Sequence, residues 1–303
     1  SNLNFINYFK SIFIPIKFKE ILKEADIFKT NQMWGSWVAL ISKIIYDKKL
    51  IIRCGYELLK LSAFKKDSLF RQFVYFLVSK CSYLLADHIF LSSLSEISYI
   101  QNRYKVNRKK ITYLPNWIDT DLYKDLNFHR SKNILFVGRL HEEKNIGFLI
   151  ESLAGTKIDL DIVGVGNQKS YLINLSKKYK VKINFLGVFK NDKMYKIYNK
   201  YQYYVICSKH EGNPKTLLEA MSCACTVIGT NSPGISNLIK HKKDGMIVEN
   251  NEKEMRKMIV NLQKNRLLSL QLAKNARNKI IANNSFNLIK KRESNTLNSL
   301  LEI

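Results

Sequence analysis

The stretch NILFVGRLHEEKNIGFLI, residues 133–150, decides the fold. A short β-rich apolar run ends at Gly138-Arg139, and apolar residues at helical spacing follow, which predicts a strand, a loop and a helix. Working outward, the rhythm recurs: LDIV (160–163), INFL (183–186), YYVIC (203–207), TVIG (226–229) and MIV (246–248) each precede a helix-like segment. Strands that alternate with helices form parallel βαβ units. In such a sheet ligands collect at the carboxyl ends of the strands. The unusual residues stand at those ends: Gly138-Arg139, Gly164-Val165-Gly166, Gly187, Ser208 to Pro214 and Ser232-Pro233-Gly234.

The part ahead of residue 125 is organised the same way in shorter form. DIFKT, LIIRC, HIFLS and ITYLP read as strands, separated by helical patterns at Trp37–Tyr46, Phe64–Ala86 and Glu96–Tyr104. Between the halves, LPNWIDTDLYKD (114–125) breaks both periodicities and suits a hinge. With 303 residues, 46% of them apolar, the chain can bury two cores of ordinary size. The reading is α/β, with two Rossmann-like domains facing a cleft. Residues 1–125 form an incomplete N-terminal domain and 126–284 the C-terminal one. A last helix over 285–303 is expected to pack back on the first domain, after a break near Asn283-Asn284-Ser285.

The formal charge is +25, from 50 Lys and Arg against 25 Asp and Glu, which favours anionic partners. Residues 1–125 hold 20 basic and 11 acidic residues, and 126–303 hold 30 and 14, so neither half is a basic arm and a nucleic-acid partner is not expected. The five cysteines include no Cys-x-x-Cys pair and no His at ligand spacing, so neither a metal site nor a disulfide framework is expected. A reducing cytoplasm fits. Phe5–Ile16 is broken by Asn7 and Lys10 and is far shorter than the ~20 residues that span a bilayer.

HEGNPKTLLEAMSC, residues 210–223, carries the chemistry. Asn213 is a favourable N-cap, Pro214 suits the first helical position, and Leu217, Leu218 and Met221 supply a buried face. Backbone N–H groups at Lys215 and Thr216, with the positive end of the helix dipole, would then form an anion site for a phosphate. A carboxylate this close needs hydroxyl donors to accept, and a ribose diol has two. Glu219 thus reads as a ribose clamp, or else as a surface residue favoured by the dipole. Gly164-Val165-Gly166 is not a dinucleotide fingerprint: Lys169 occupies the third glycine position and no acid ends a strand ~20 residues on.

EGNPKTLLEAM resembles the paired-glutamate signature of the retaining glycosyltransferases of family 4, the group 1 enzymes with the GT-B fold. FVGRLHEEKN resembles the family's phosphate-binding Arg and Lys element; DIVGVGNQKSYL, INFLGVF, SPGISNLI and DGMIVE resemble successive family blocks, and NWIDTDLY its interdomain linker. The resemblance covers roughly residues 26–248. It implies a sugar transfer from a nucleotide-diphosphate sugar, UDP- or GDP-linked, to a cell-surface glycan or lipid-linked acceptor. Arg139 and Lys144 would hold the diphosphate, with Gly138 and Gly164 in the loops around it. Glu211 would contact the donor sugar, backbone N–H groups of Gly212 and Asn213 would approach it, and Glu219 would hold the ribose. The donor is a substrate; neither cofactor nor metal is implied, since two cations can neutralise a leaving diphosphate.

Ala224 and Thr226 stand where the family commonly has Gly and Pro, and Asn237 where it often has an acid. The family also has further strands ahead of those read in the first domain, which would be the acceptor side. This chain is therefore expected to bind donor yet turn over slowly. The alternative is a truncated non-catalytic subunit that binds nucleotide-sugar or a partner. The basic surface predicts peripheral attachment to an anionic membrane on its cytoplasmic face.

Overall fold

The structure, a computed structural model, describes residues 5–301. The chain divides into two compact units, Ser1–Pro115 with Lys291–Ile303, and Asn116–Lys290. The division falls between Pro115 and Asn116 rather than near residue 125, and the reason lies in hydrogen bonds. The Asn116 N–H donates to Asn213 Oδ1 (3.0 Å) and the Ile118 N–H to the Asn284 carbonyl (2.8 Å). Ser222 Oγ donates to the Tyr123 carbonyl at 2.6 Å. The segment read as a hinge is thus built into the second unit.

In the first unit, helices α1 (Phe5–Ser11), α2 (Ile14–Lys17) and α3 (Lys19–Glu24) precede β1 (Ile27–Lys29), α4 (Ser36–Tyr46), β2 (Lys49–Cys54), α5 (Leu58–Phe64), α6 (Leu69–Leu85), β3 (His88–Leu91), α7 (Leu94–Tyr104) and β4 (Ile111–Tyr113). The strands form one parallel sheet in the order β1-β2-β3-β4. Leu50, Ile52, Ile89, Leu91 and Ile111 alternate along it to fill one core. The helix expected over Phe64–Ala86 is α6, starting five residues late at Leu69, and α5 ahead of it was not expected. Lys66 takes a left-handed φ of 55°, and Ser68 restarts the chain as the N-cap of α6, its hydroxyl accepting from the Arg71 N–H. His88 is a strand residue: its ring bonds Thr112 Oγ1 at 2.9 Å and burial lowers its pKa.

The second unit contains β5 (Ser131–Val137), α8 (Ile146–Leu153), β6 (Leu160–Val163), α9 (Lys169–Tyr179), β7 (Ile183–Gly187), α10 (Asn191–Tyr198), β8 (Tyr201–Ile206), α11 (Lys215–Ser222), β9 (Thr226–Thr230), β10 (Met246–Val248), α12 (Glu252–Lys264) and α13 (Arg266–Asn284); α14 (Phe286–Leu301) begins here and ends in the first unit. All six strands are parallel, in the order β10-β9-β8-β5-β6-β7. Strand alternation builds two cores at once. Ile134, Phe136, Tyr203 and Val205 enter one, while Leu135, Tyr204, Ile206 and Val227 enter the other. Strands buried on both faces read as unbroken apolar runs. A side chain of this kind stabilises by about 1.5–3 kcal/mol.

Candidate functional site

The carboxyl ends of β5, β6 and β8 are held together by backbone contacts that require glycine. Gly164 adopts φ +144°, and a Cβ there would lie 1.9 Å from the Gly138 carbonyl oxygen. The gap is closed instead by main-chain bonds, from the Gly138 N–H to the Val163 carbonyl and from the Leu140 N–H to the Val165 carbonyl, both 2.9 Å. The Gly-Val-Gly sequence therefore packs loop on loop. On the other side, the Lys209 N–H donates to the Glu143 carbonyl and the Glu211 N–H to the Pro233 carbonyl, each at 2.9 Å. Gly234 sits so close that a Cβ would fall 2.0 Å from the Glu211 carbonyl.

These loops fix a small charged cluster. Lys144 Nζ donates to Glu211 Oε1 at 2.6 Å, and Ser208 Oγ donates to the same oxygen at 2.7 Å. Both charged side chains are largely buried, at 18% and 16% exposure, so the pair is shielded from bulk water and from salt. Beneath Lys144, burial pushes the Cys207 thiol up to about 12. It therefore stays protonated and donates to the Lys144 and Asn145 carbonyls at 3.4 Å. Arg139, in contrast, is 78% exposed and pairs with Glu143 at 3.1 Å.

Helix α11 starts one residue later than the sequence suggests. Pro214 is its N-cap, and Asn213 does not cap it. Both acceptors of Asn213 are taken by Asn116: its Oδ1 accepts from the Asn116 N–H (3.0 Å), and its carbonyl accepts from Asn116 Nδ2 (2.7 Å). Gly212 links this anchor to Glu211. Thr216 Oγ1 accepts from the Tyr204 hydroxyl at 2.9 Å, and Lys215 Nζ lies 5.1 Å from the centre of the Trp117 ring. Glu219, 7% exposed, lies inside a tyrosine cluster where the Tyr198 hydroxyl donates to Oε2 at 2.9 Å. Burial pushes its carboxyl up, against the hydrogen bond from Tyr198 and the charge of Lys215.

The structure thus brings Lys144 and Glu211 together, gives Arg139 to Glu143, and seats Glu219 deeper than a surface helix residue. Ser208, Tyr198 and Asn116 are additional. Of these only Ser208, standing in the strand-end row, had a signal in the sequence. A cavity of about 540 Å³ opens beside the cluster, its lining including Asn145, Gln168 and Lys209, yet neither Glu211 nor Glu219 lines it. Chemistry rather than empty volume marks the site. Among the described residues, no three His, Cys, Asp or Glu side chains are grouped to hold a metal ion.

The family model for glycosyl transferases group 1 matches residues 119–279, more than half of the chain. The chain belongs to this family. A glycosyltransferase of Campylobacter jejuni, named for adding N-acetylgalactosamine to a diphospho-undecaprenol-linked sugar, is 27% identical over 264 residues, 82% of this chain and 71% of that protein. An uncharacterised glycosyltransferase of Haemophilus influenzae is 33% identical over 156 residues, 48% of this chain and 44% of its own length. The crystal structure of Anabaena HepE with UDP and glucose superposes with a TM-score of 0.81 at 17% identity, covering 94% of this chain and 81% of that one. The two parallel sheets are those of the GT-B glycosyltransferases.

Proposed function

We propose that this group 1 glycosyltransferase moves a sugar, with retention of configuration, from a UDP- or GDP-sugar to a lipid-linked glycan precursor, at the cytoplasmic face of a membrane and without a metal. The observation that carries the reading is the Lys144–Glu211 pair with Ser208. It places a cation and a hydrogen-bonding carboxylate at the strand ends, held by bonds on either side. Donor binding would transfer Lys144 to the diphosphate, with Arg139, itself exposed, released from the half-buried Glu143 to join it; pairs with an exposed member are weak, ~0.2–1 kcal/mol. Glu211, kept in place by Ser208, would accept from sugar hydroxyls, and Glu219 would accept from the ribose. The acceptor hydroxyl would attack on the face from which the diphosphate leaves, its proton passing to a diphosphate oxygen. Acceptor recognition falls to the first unit in this reading.

The lipid-linked acceptor is supported by the name of the C. jejuni relative, and the nucleotide donor by UDP in the HepE structure. Transfer of radiolabelled sugar from a panel of UDP- and GDP-sugars to a diphospho-polyprenyl sugar tests it. Arg139→Ala with Lys144→Ala should abolish turnover, and Glu219→Ala should weaken UDP or GDP binding by ~1.5–3 kcal/mol, the scale of hydrogen bonds to a charged group. Unchanged calorimetric nucleotide affinity in Glu219→Ala would remove the ribose contact. Nucleotide binding without any transfer would remove the catalytic reading.

A further inference from the structure

Helix α6 is apolar on both faces, with Phe76 packed against the core and stacked on Tyr104. Its buried positions are Ser79, Ser82 and Tyr83, and Ser82 Oγ bonds Ser36 Oγ at 2.7 Å within the first unit. Its outward face carries Phe70 at 77% exposure, Phe73 at 57%, Leu77 at 42% and Leu84 at 45%. These four recur at helical spacing as one stripe, over a helix about 25 Å long. With Phe76, Ser79, Ser82 and Tyr83 taking the inner face, Phe70, Phe73, Leu77 and Leu84 are apolar area with no partner inside the unit. Contiguous exposed apolar patches mark interaction surfaces.

The charge around the stripe selects the partner. From Leu58 to Ala86 the chain carries Lys60, Lys65, Lys66, Arg71 and Lys80 against the single acid Asp67; Arg71 pairs with Asp67 and Lys60 with Glu96, and the net charge stays positive. Arg71 and Lys80 lie on α6 itself and are exposed, with long stems able to lie along apolar surface while the charge reaches outward. A related, less basic pattern runs through α1–α3, where exposed Phe9, Phe13, Ile16 and Ile21 are interleaved with Lys10, Lys17, Lys19 and Lys23 against Glu20 and Glu24. An isologous pairing of two copies would set these cations against each other. A sheet of anionic headgroups over an acyl interior complements both features, apolar and basic.

We propose that the α6 face of the first unit, through Phe70, Phe73, Leu77 and Leu84, docks in the interfacial plane of an anionic lipid bilayer. The inference deepens the proposed membrane-face activity and rests on it for its setting, yet it commits to insertion of named side chains, beyond attraction by overall charge. Cys81 gives a direct probe. It is exposed on α6, between Leu77 and Leu84, whereas Cys54, Cys207, Cys223 and Cys225 are buried.

The test is flotation of the whole chain with phosphatidylcholine vesicles, with and without phosphatidylglycerol, together with an environment-sensitive fluorophore on Cys81. The expected result is binding to the anionic vesicles, a blue shift of the fluorophore and its quenching by nitroxide lipids. Phe70→Gln with Phe73→Gln and Leu77→Gln should lower partitioning by about tenfold or more. The side chains face solvent, so the variant should keep its far-UV circular dichroism and its calorimetric affinity for UDP or GDP. Partitioning equal to that of the unaltered chain would overturn the proposal. So would a Cys81 probe already buried in lipid-free protein, or a concentration-dependent dimer that the triple change dissolves. Docking that persists while no sugar is transferred would sink the catalytic reading alone.

Discussion

Two carboxylates eight residues apart meet opposite surroundings, and the difference sets what each can do. Glu211 is neutralised by Lys144 and accepts from Ser208. Glu219 is buried among Tyr198 and Tyr123, where desolvation outweighs the Tyr198 hydrogen bond and the Lys215 charge and raises its pKa. A raised carboxyl pKa stabilises the fold fully below the unfolded-state value and loses that contribution as pH rises through the folded one. Ionised Glu219 therefore strains the second unit at neutral pH, a cost typical of residues kept for function. Glu219→Gln, which still accepts from Tyr198, should be more stable than the unaltered chain at pH 7, the gap closing as pH falls through the carboxyl range. Thermal melts from pH 4 to 7 check it; a gap that is constant with pH would mean that Glu219 is not ionised at a cost. The sequence marked Glu219 by its place on a helix, but Tyr198 and Tyr123 reach it only through packing between α10, α11 and the 116–125 segment. No local spacing encodes that.

At the scale of the element, the central strands were legible because parallel strands buried on both faces leave a dense apolar signature that needs no partner to be recognised, and the half-exposed edge strands β1, β4 and β7 were read from their apolar runs within the same repeating rhythm. Helix ends were less so. The Asn-Pro pair ahead of α11 suggests an Asn cap, but Asn116, 97 positions away, claims the side chain first, and Pro214 becomes the cap. The helix predicted from Phe64 starts only at Leu69, because the backbone turns left-handed at Lys66 and Ser68 caps the new helix, while α5 ahead of it was missed. The strand-end glycines were legible as tight turns, and the structure adds what they make room for. Gly164→Ala should cost roughly 2–5 kcal/mol, combining a disfavoured φ with a clash against the Gly138 carbonyl. Gly155→Ala, also at positive φ but with nothing within 4 Å, should cost only ~1–2 kcal/mol. Urea denaturation of the pair separates crowding from backbone strain; equal losses would show that the loop contact can relax.

For the molecule as a whole, charge and core are distributed differently. Basic residues outnumber acidic ones in both halves of the sequence, whereas the first unit has a core of its own and the second has two, one on each face of its sheet. Every residue proposed for the donor, from Gly138 to Glu219, lies in the second unit. Two units whose cores share no residues should unfold in separable steps, so a single transition is not assumed. A ligand that binds only the native second unit stabilises that unit by RT ln(1 + [L]/Kd), about 2.7 kcal/mol at a hundredfold excess over Kd. For a unit of this size the shift is roughly 5–10 °C. Differential scanning calorimetry with saturating UDP or GDP should therefore raise the transition of Asn116–Lys290 and leave that of the first unit where it was. Equal shifts of both would place donor contacts on the first unit as well, and the absence of any shift would take the nucleotide out of the second.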